Sequence, residues 1–210
     1  EHGRLRLSCA DEVLTYVSRN LEPARGFHVF MRALPEILRR RPKARAVIVG
    51  GDDVSYSGKP KGYDSYRELM LAEVGEQLDL SRVHFLGKIP YASYLKLLQV
   101  SSCHVYLTTP FVLSWSLMEA MAAGCHVVGS DTGPVREMIA DGRNGRLVDF
   151  FDTKALADAV ARAFAEPKAQ AVTRAAARQL IVDAYDLGTR CLPRMIGLVS
   201  RLGTDQPALL

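Results

Sequence analysis

Short apolar runs alternate with amphipathic stretches along most of this chain. Six runs rich in valine, isoleucine, leucine and aromatic residues predict buried strands, at residues 13–18, 46–49, 82–86, 103–107, 126–129 and 146–148. Apolar residues at helical spacing predict helices at residues 27–41, 64–78, 91–100, 135–140, 153–166, 169–185 and 187–202. Because strands and helices alternate, we expect an α/β doubly wound fold, a three-layer sandwich around a six-stranded parallel sheet.

A nearly apolar helix is predicted between the fourth and fifth strands. Between Pro110 and Cys125 the only charged residue is Glu119. A carboxylate among apolar neighbours costs free energy unless it is paired or binds something. Two interpretations stay open: a donor within the fold satisfies Glu119, or Glu119 faces a ligand.

The position of this helix suggests a ligand site. In an open parallel sheet, ligands bind beyond the carboxyl ends of the strands, where the strand order reverses. If the order is the common 3-2-1-4-5-6, Arg19 and Arg25 after strand one face the same crevice as the Glu119 helix after strand four. Ser114 is a suitable N-cap for that helix. Guanidinium groups near a helix start form an anion site. Glu119, just over one turn into the helix, would accept hydrogen bonds from hydroxyls near a bound phosphate, so the combination predicts a phosphate with an attached sugar.

Composition narrows the class of protein. The 210 residues are 48% hydrophobic and 24% charged, which suits one sizeable domain. The net charge of +4 without a long basic block gives no prediction of nucleic-acid binding. The four cysteines lack CxxC spacing, so we expect reduced thiols and a cytoplasmic protein. No apolar run reaches the roughly 18 residues of a membrane span, and no signal peptide is visible.

Four segments follow from the pattern. Residues 1–12 are expected to be a linker or the end of a preceding segment, 13–168 the main domain, 169–203 C-terminal helices and 204–210 a disordered tail. The first residue is Glu1, which suggests a part of a longer chain. The long loop 52–63 is either functional or a mobile surface insertion, and Asp64 is the candidate cap of the helix after it.

Several familiar sites are missing from the sequence. The loop after the first strand reads RNLEPARG, without the GxGxxG of dinucleotide-binding proteins, and no GxxxxGK[ST] occurs. The histidines are isolated, so no metal site is predicted. No GxSxG occurs either, so a nucleophilic hydrolase has no support.

Residues 13–166 closely resemble the C-terminal half of group 1 (family 4) retaining glycosyltransferases of GT-B fold. The resemblance is carried by YVSRNLEPARGFHVFMRALP, AVIVGG, VHFLGKIPYASYLKLLQ and LMEAMAAGCHVVGSDTGPVREMIADGRNGRLVD. It implies a Rossmann-like domain that binds a nucleotide-diphosphate sugar of UDP or GDP type as substrate. No cofactor is expected beyond that donor, and transfer would proceed with retention and without a metal.

The resemblance also assigns roles to residues. Arg19 and Arg25 match the positions that clamp the donor diphosphate and stabilise the leaving group, and Glu119 matches the glutamate that binds the ribose. Backbone amides at Leu113, Ser114 and Trp115 are similar to those that contact the phosphates and the sugar.

Other positions carry the nucleobase or depart from the pattern. The nucleobase is expected near Gly87, Lys88 and Ile89. The first glutamate of the family's E-x7-E motif falls on Phe111, whose side chain offers no carboxylate to the sugar. Ser114 stands where glycine is common, and arginine replaces lysine at position 25, which keeps the charge but changes the donor geometry.

The same resemblance implies a second half. In such enzymes the active site lies between two domains, so this chain alone is expected to be inactive. The acceptor, a sugar or a lipid-linked glycan, would bind through the missing half, and membrane contact would belong to the intact protein. The helices after residue 169 would pack back on the domain or toward that half. Two alternatives stay open: a non-catalytic scaffold that lost sugar recognition, and one half of a UDP-sugar epimerase.

Overall fold

A computed structural model describes residues 5–204 of the protein. Six parallel strands form one sheet in the order β3-β2-β1-β4-β5-β6. The strands are β1 Val13–Asn20, β2 Arg45–Gly51, β3 Val83–Gly87, β4 Cys103–Tyr106, β5 His126–Ser130 and β6 Arg146–Val148. The predicted fold class is therefore confirmed, and so is the expected strand order, which reverses between β1 and β4.

Helices cover both faces of the sheet. They are α1 Phe27–Arg40, α2 Tyr66–Val74, α3 Tyr91–Val100, α4 Trp115–Ala122, α5 Gly133–Arg136, α6 Thr153–Ala165, α7 Pro167–Tyr185 and α8 Leu192–Thr204. One core joins α1, α2 and α6 to side chains such as Leu14 and Ile48, and a second joins α3, α4, α5 and α7 to side chains such as Tyr106 and Val127. Alternate residues of each buried strand face opposite cores, because side chains alternate along a strand.

Several element ends differ from the predictions. Strand β1 continues two residues further, so Arg19 lies in the strand instead of after it. Helix α2 is capped by Ser65, whose hydroxyl accepts from the amide of Glu68, and Asp64 is not the cap. The predicted helix 135–140 is wrong in its extent, since α5 ends at Arg136. It starts at Gly133-Pro134, where the missing N–H of proline costs nothing.

The C-terminal helices differ in how they pack. Helix α7 lies against α4 and β5, with Ala177 fully buried. The guanidinium groups of Arg174 and Arg178 donate to the carbonyls of Gly124 and Ala122, at the C-terminal end of α4. Helix α8 instead leaves large apolar side chains exposed: Leu192, Met195, Ile196, Leu198, Val199 and Leu202.

At the chain ends, Leu5 and Leu7 pack against a small core that includes Val13 and Val47. Residues 1–4 of the predicted linker lie outside the described residues, and so do residues 205–210 of the predicted tail. Among residues 5–204, no helix is both long enough and apolar enough to cross a bilayer.

Candidate functional site

A two-lobed cleft lies at the carboxyl ends of β1 and β4. The smaller lobe has a volume of about 320 Å³ and the larger lobe about 550 Å³. Both are lined by Val17, Ser18, Arg19, Ser114, Trp115 and Ser116. The end of β1 and the start of α4 therefore form the junction of the lobes, as the predicted crevice required.

Arg19 lines this junction, and its guanidinium group is unpaired among the described residues. Its side chain is exposed, and it makes no hydrogen bond or ion pair with any other described residue. A guanidinium group is always charged and presents five donors. Arg19 is thus free to bind an anion.

Arg25 lines the smaller lobe and is held in place by several partners. Its Nη1 donates to Thr108 Oγ1 at 3.0 Å and to the carbonyl of Val112 at 3.3 Å. Its guanidinium carbon also lies 5.4 Å from the ring centre of Tyr56 and 5.5 Å from that of Phe111. Arg25 lies at the expected crevice, and its contacts with aromatic rings were not foreseen from the sequence.

The start of α4 has the geometry of a capped helix. Ser114 is the N-cap, and its hydroxyl accepts from the amide of Ser116 at 3.3 Å, as expected for a cap. The amide of Ser114 donates to Tyr106 Oη at 2.8 Å. The amides of Leu113 and Trp115 donate to no described residue, so they, and not Ser114, are the amides of this turn open to a ligand.

Glu119 lines the larger lobe and accepts two hydrogen bonds. Tyr91 and Tyr94 each donate their hydroxyl to one carboxylate oxygen, at 2.9 Å in both cases. The hydrogen bond to Glu119 raises the pKa of Tyr91, and burial together with the charge of Glu119 raises the pKa of Tyr94. Both phenols therefore stay protonated. Glu119 is therefore hydrogen-bonded within the fold and also lines the cleft. Each of its carboxylate oxygens has a second lone pair, with which it can accept a hydrogen bond from a ligand.

Two of the three residues expected near a nucleobase line the larger lobe. Lys88 and Ile89 line it, whereas Gly87 does not; its φ of 63° turns the chain at the end of β3. Lys88 Nζ is 3.2 Å from Asp53 Oδ2 in an exposed ion pair. Such a pair contributes little energy, so a ligand can displace it.

Glu22 and Tyr56 are among the residues of the smaller lobe that the sequence did not predict. Glu22 is fully buried and lines the lobe, and Tyr56 reaches it from the long loop 52–63. Glu22 is a charged residue inside the loop RNLEPARG, which is ordinarily a solvent-exposed setting. Only its burial reveals a role, and burial is a tertiary property.

Larger surface hollows lie elsewhere. One of about 760 Å³ lies beside Asp52, Asp53 and Arg67, and another of about 710 Å³ lies between β6, α6 and α7. Neither reaches the strand-order reversal where a ligand site is expected. Among the described residues, no group of three or more His, Cys, Asp or Glu could hold a metal ion.

Comparison with known proteins identifies the family to which the chain is similar. Residues 6–180 match the model of the family described as glycosyl transferases group 1. The chain is 33% identical over 177 residues to a phosphatidyl-myo-inositol mannosyltransferase of Mycolicibacterium smegmatis, which covers 81% of the chain and 40% of that protein. It is 30% identical over 159 residues to a D-inositol 3-phosphate glycosyltransferase of Corynebacterium urealyticum, covering 74% of the chain and 35% of that protein.

A solved structure shows the same fold. The Anabaena protein HepE, crystallised with UDP and glucose, superposes with a TM-score of 0.76 at 22% identity, over 91% of this chain and 49% of that one. The chain thus spans between a third and a half of the length of these proteins. With the family model matching most of its length, the chain belongs to the group 1 family of glycosyl transferases.

Proposed function

We propose that this chain is the C-terminal, donor-binding domain of a retaining glycosyltransferase that moves a sugar from a nucleotide-diphosphate sugar to an acceptor. One observation carries the proposal: Arg19, Arg25 and the start of α4 line one cleft whose second lobe contains Glu119. Cations and free amides at the junction and in the smaller lobe, with a carboxylate in the larger lobe, suit a diphosphate joined to a ribose.

The donor's parts would lie along the cleft in order. The diphosphate would bind at the junction, between Arg19 and the amide of Trp115. The ribose hydroxyls would donate to Glu119, and the base would extend toward Lys88 and Ile89. The remaining smaller lobe, beside Arg25, would hold the sugar.

The chemistry assigned to this domain is charge stabilisation. When the bond from the sugar to the diphosphate breaks, negative charge develops on the leaving phosphate. Arg19, Arg25 and the amides at the start of α4 would stabilise that charge, because donors fixed in advance need no reorganisation during the reaction. The acceptor, a sugar or a lipid-linked glycan, would be bound by another part of the intact protein.

Calorimetry with UDP and GDP tests the proposal. One of the two is expected to bind the 210-residue chain. Arg19→Ala should weaken binding by about 10-fold to 100-fold, since a charge-assisted hydrogen bond is worth roughly 1.5–3 kcal/mol. Glu119→Gln should weaken it by about tenfold through loss of the charged acceptor.

The control is Arg39→Ala, which removes an equal charge from the exposed end of α1, where Arg39 pairs with Glu36. It should leave the affinity unchanged. If neither nucleotide binds, or if the Arg19 variant binds as tightly as the control, the donor-binding function is refuted and a non-catalytic scaffold is favoured.

A further inference from the structure

Two aromatic rings and a guanidinium group form one wall of the smaller lobe. The ring centres of Tyr56 and Phe111 are 5.0 Å apart, with the planes inclined by 58°. The guanidinium group of Arg25 contacts both rings, at 5.4 and 5.5 Å from their centres. Both rings keep an open surface, with Tyr56 52% and Phe111 44% exposed. We call Tyr56, Phe111 and Arg25 the aromatic wall.

The wall is held from behind by a buried carboxylate. Glu22 is fully buried, and its Oε2 accepts from the amides of Ser55, Tyr56 and Ser57 at 3.2, 2.9 and 2.9 Å. Asn20 Nδ2 also donates to Ser55 Oγ at 2.7 Å. Burying a carboxylate is expensive, and three charge-assisted hydrogen bonds offset that cost. Tyr56 is therefore fixed against Arg25 although it lies in a long loop.

The lobe offers no free carboxylate to a ligand. Among the described residues, Glu22 is the only acidic side chain that lines it. Three amides occupy Oε2 of Glu22, and Oε1 is enclosed without a hydrogen-bond partner. Two further apolar residues with large exposed surfaces, Val112 at 72% and Trp115 at 79% exposure, also line the lobe.

We propose that the aromatic wall receives the apolar face of the donor's sugar and selects it by shape, not by its hydroxyl groups. The inference rests on the proposed function and assigns the smaller lobe's specificity. A site built to hydrogen-bond a hydroxyl strongly rejects an analogue that lacks it, because buried polar groups are left unpaired. The ring faces of Tyr56 and Phe111 carry no such groups, and Nη1 of Arg25 already donates to Thr108 Oγ1 and to the carbonyl of Val112. The preferred donors are therefore sugars with an extended C–H face, deoxy sugars included.

The test compares affinities as a ratio. The affinity of each nucleotide sugar is divided by the affinity of the free nucleoside diphosphate. The nucleotide sugars are UDP-glucose and its 3-, 4- and 6-deoxy forms, or GDP-mannose and its corresponding deoxy forms if GDP binds. This ratio isolates the sugar's contribution from any change at the phosphates. We expect every deoxy form to retain a ratio within fivefold of the parent sugar, or to exceed it.

Variants of the wall give the second readout. Tyr56→Ala and Phe111→Ala should each lower the ratio by about threefold to tenfold through lost apolar contact, about 1 kcal/mol. Phe111→Glu should make the deoxy forms bind more than fivefold worse than the parent. The matched control is Tyr63→Ala, in the same loop but outside the lobe, which should leave the ratio unchanged.

The outcomes separate this inference from the proposed function. If no nucleoside diphosphate binds, the proposed function fails and the inference fails with it. If a diphosphate binds and the Arg19 variant weakens it, the proposed function stands. The inference is then overturned by either of two results: a wild-type loss of more than fivefold for any deoxy form, or wall variants that match the Tyr63 control.

Discussion

Gly26 shows how a residue without a side chain positions a neighbour that lines the cleft. Its φ of 71° lies in the left-handed region, and a Cβ atom there would come within 2.3 Å of Leu107 Cβ. The chain can therefore turn closely from Arg25 into α1 while packing against the segment after β4. Glycine is the residue that satisfies both demands at little steric cost.

Gly26→Ala is expected to lower the free energy of unfolding by about 2 to 4 kcal/mol, combining the left-handed strain with overpacking. Urea denaturation of the variant measures it. Gly62→Ala is the matched control, because Gly62 has φ 79° but open space around it. It should lose only about 1 kcal/mol from strain. Equal losses in both variants would show that the contact with Leu107 does not matter.

Phe111 shows what a sequence motif reveals about a residue and what it does not. Alignment with the family's motif placed an aromatic ring where a carboxylate is usual. It said nothing about what the ring touches. Its contacts with Tyr56 and Arg25 come from a loop 55 positions earlier and a turn 86 positions earlier in the chain, and only folding brings these together.

At the scale of elements, local hydrogen bonds decide where helices begin. Helix α2 follows Ser65-x-x-Glu68, where the serine hydroxyl caps the amide of Glu68 and Glu68 Oε2 accepts from the amide of Asp64 at 2.8 Å. The Ser-x-x-Glu spacing resembles that of a capping box, with the glutamate accepting from the amide one residue before the cap. It can be found in sequence and identifies Ser65 instead of Asp64 as the cap. Helix α6 begins similarly, since Asp152 Oδ1 accepts from the amide of Ala155 at 2.8 Å.

Asp152→Ala should lower the free energy of unfolding by about 1 kcal/mol, the usual cost of losing an N-cap acceptor. Asp152→Asn keeps an acceptor oxygen at the same place and should stay within a few tenths of a kcal/mol of wild type. Thermal and urea denaturation of the two variants side by side make the measurement. A similar loss in both would point to the charge of Asp152 instead of its cap.

Element ends were predicted less well than element order. The hydrophobic pattern stops at Ser18, yet β1 continues to Asn20 because Asn20 and Gly51 are paired across β1 and β2. The pattern also suggested a helix over 135–140. In the structure Asn144 Oδ1 accepts from the amide of Ala140 and Nδ2 donates to the carbonyl of Met138, which supports a turn instead. Contacts with distant residues decided both cases.

At the scale of the whole molecule, two buried histidines link stability to pH. Burial lowers the pKa of His104 to about 4, and burial with the nearby Arg174 and Arg146 lowers that of His126 to about 4. His104 Nδ1 is 2.9 Å from Thr15 Oγ1, and His126 Nδ1 is 3.0 Å from Thr173 Oγ1. Both rings are packed in the sheet as neutral groups.

The unfolded chain binds protons at these histidines near pH 6.5, whereas the folded protein does so only near pH 4. Their stabilisation is therefore present above pH 6.5 and is lost as the pH falls toward 4. Between pH 7.5 and 5.0 we expect a loss of about 2 kcal/mol per histidine. Urea denaturation at both pH values measures it, and His126→Gln should remove roughly half of the difference. A wild-type stability that does not change over this range would contradict the assignment.

The sequence by itself determined the class of fold, the order of the elements and the segments that carry the charged residues of the cleft. These features follow from hydrophobic periodicity and short motifs, which are local along the chain. The tertiary structure decided which residues meet: Arg19 with the start of α4, Glu119 with Tyr91 and Tyr94, and Glu22 with the loop that carries Tyr56. Burial and contact between distant segments arise only when the strands pair and the helices pack on both faces of the sheet, so no local pattern contains them.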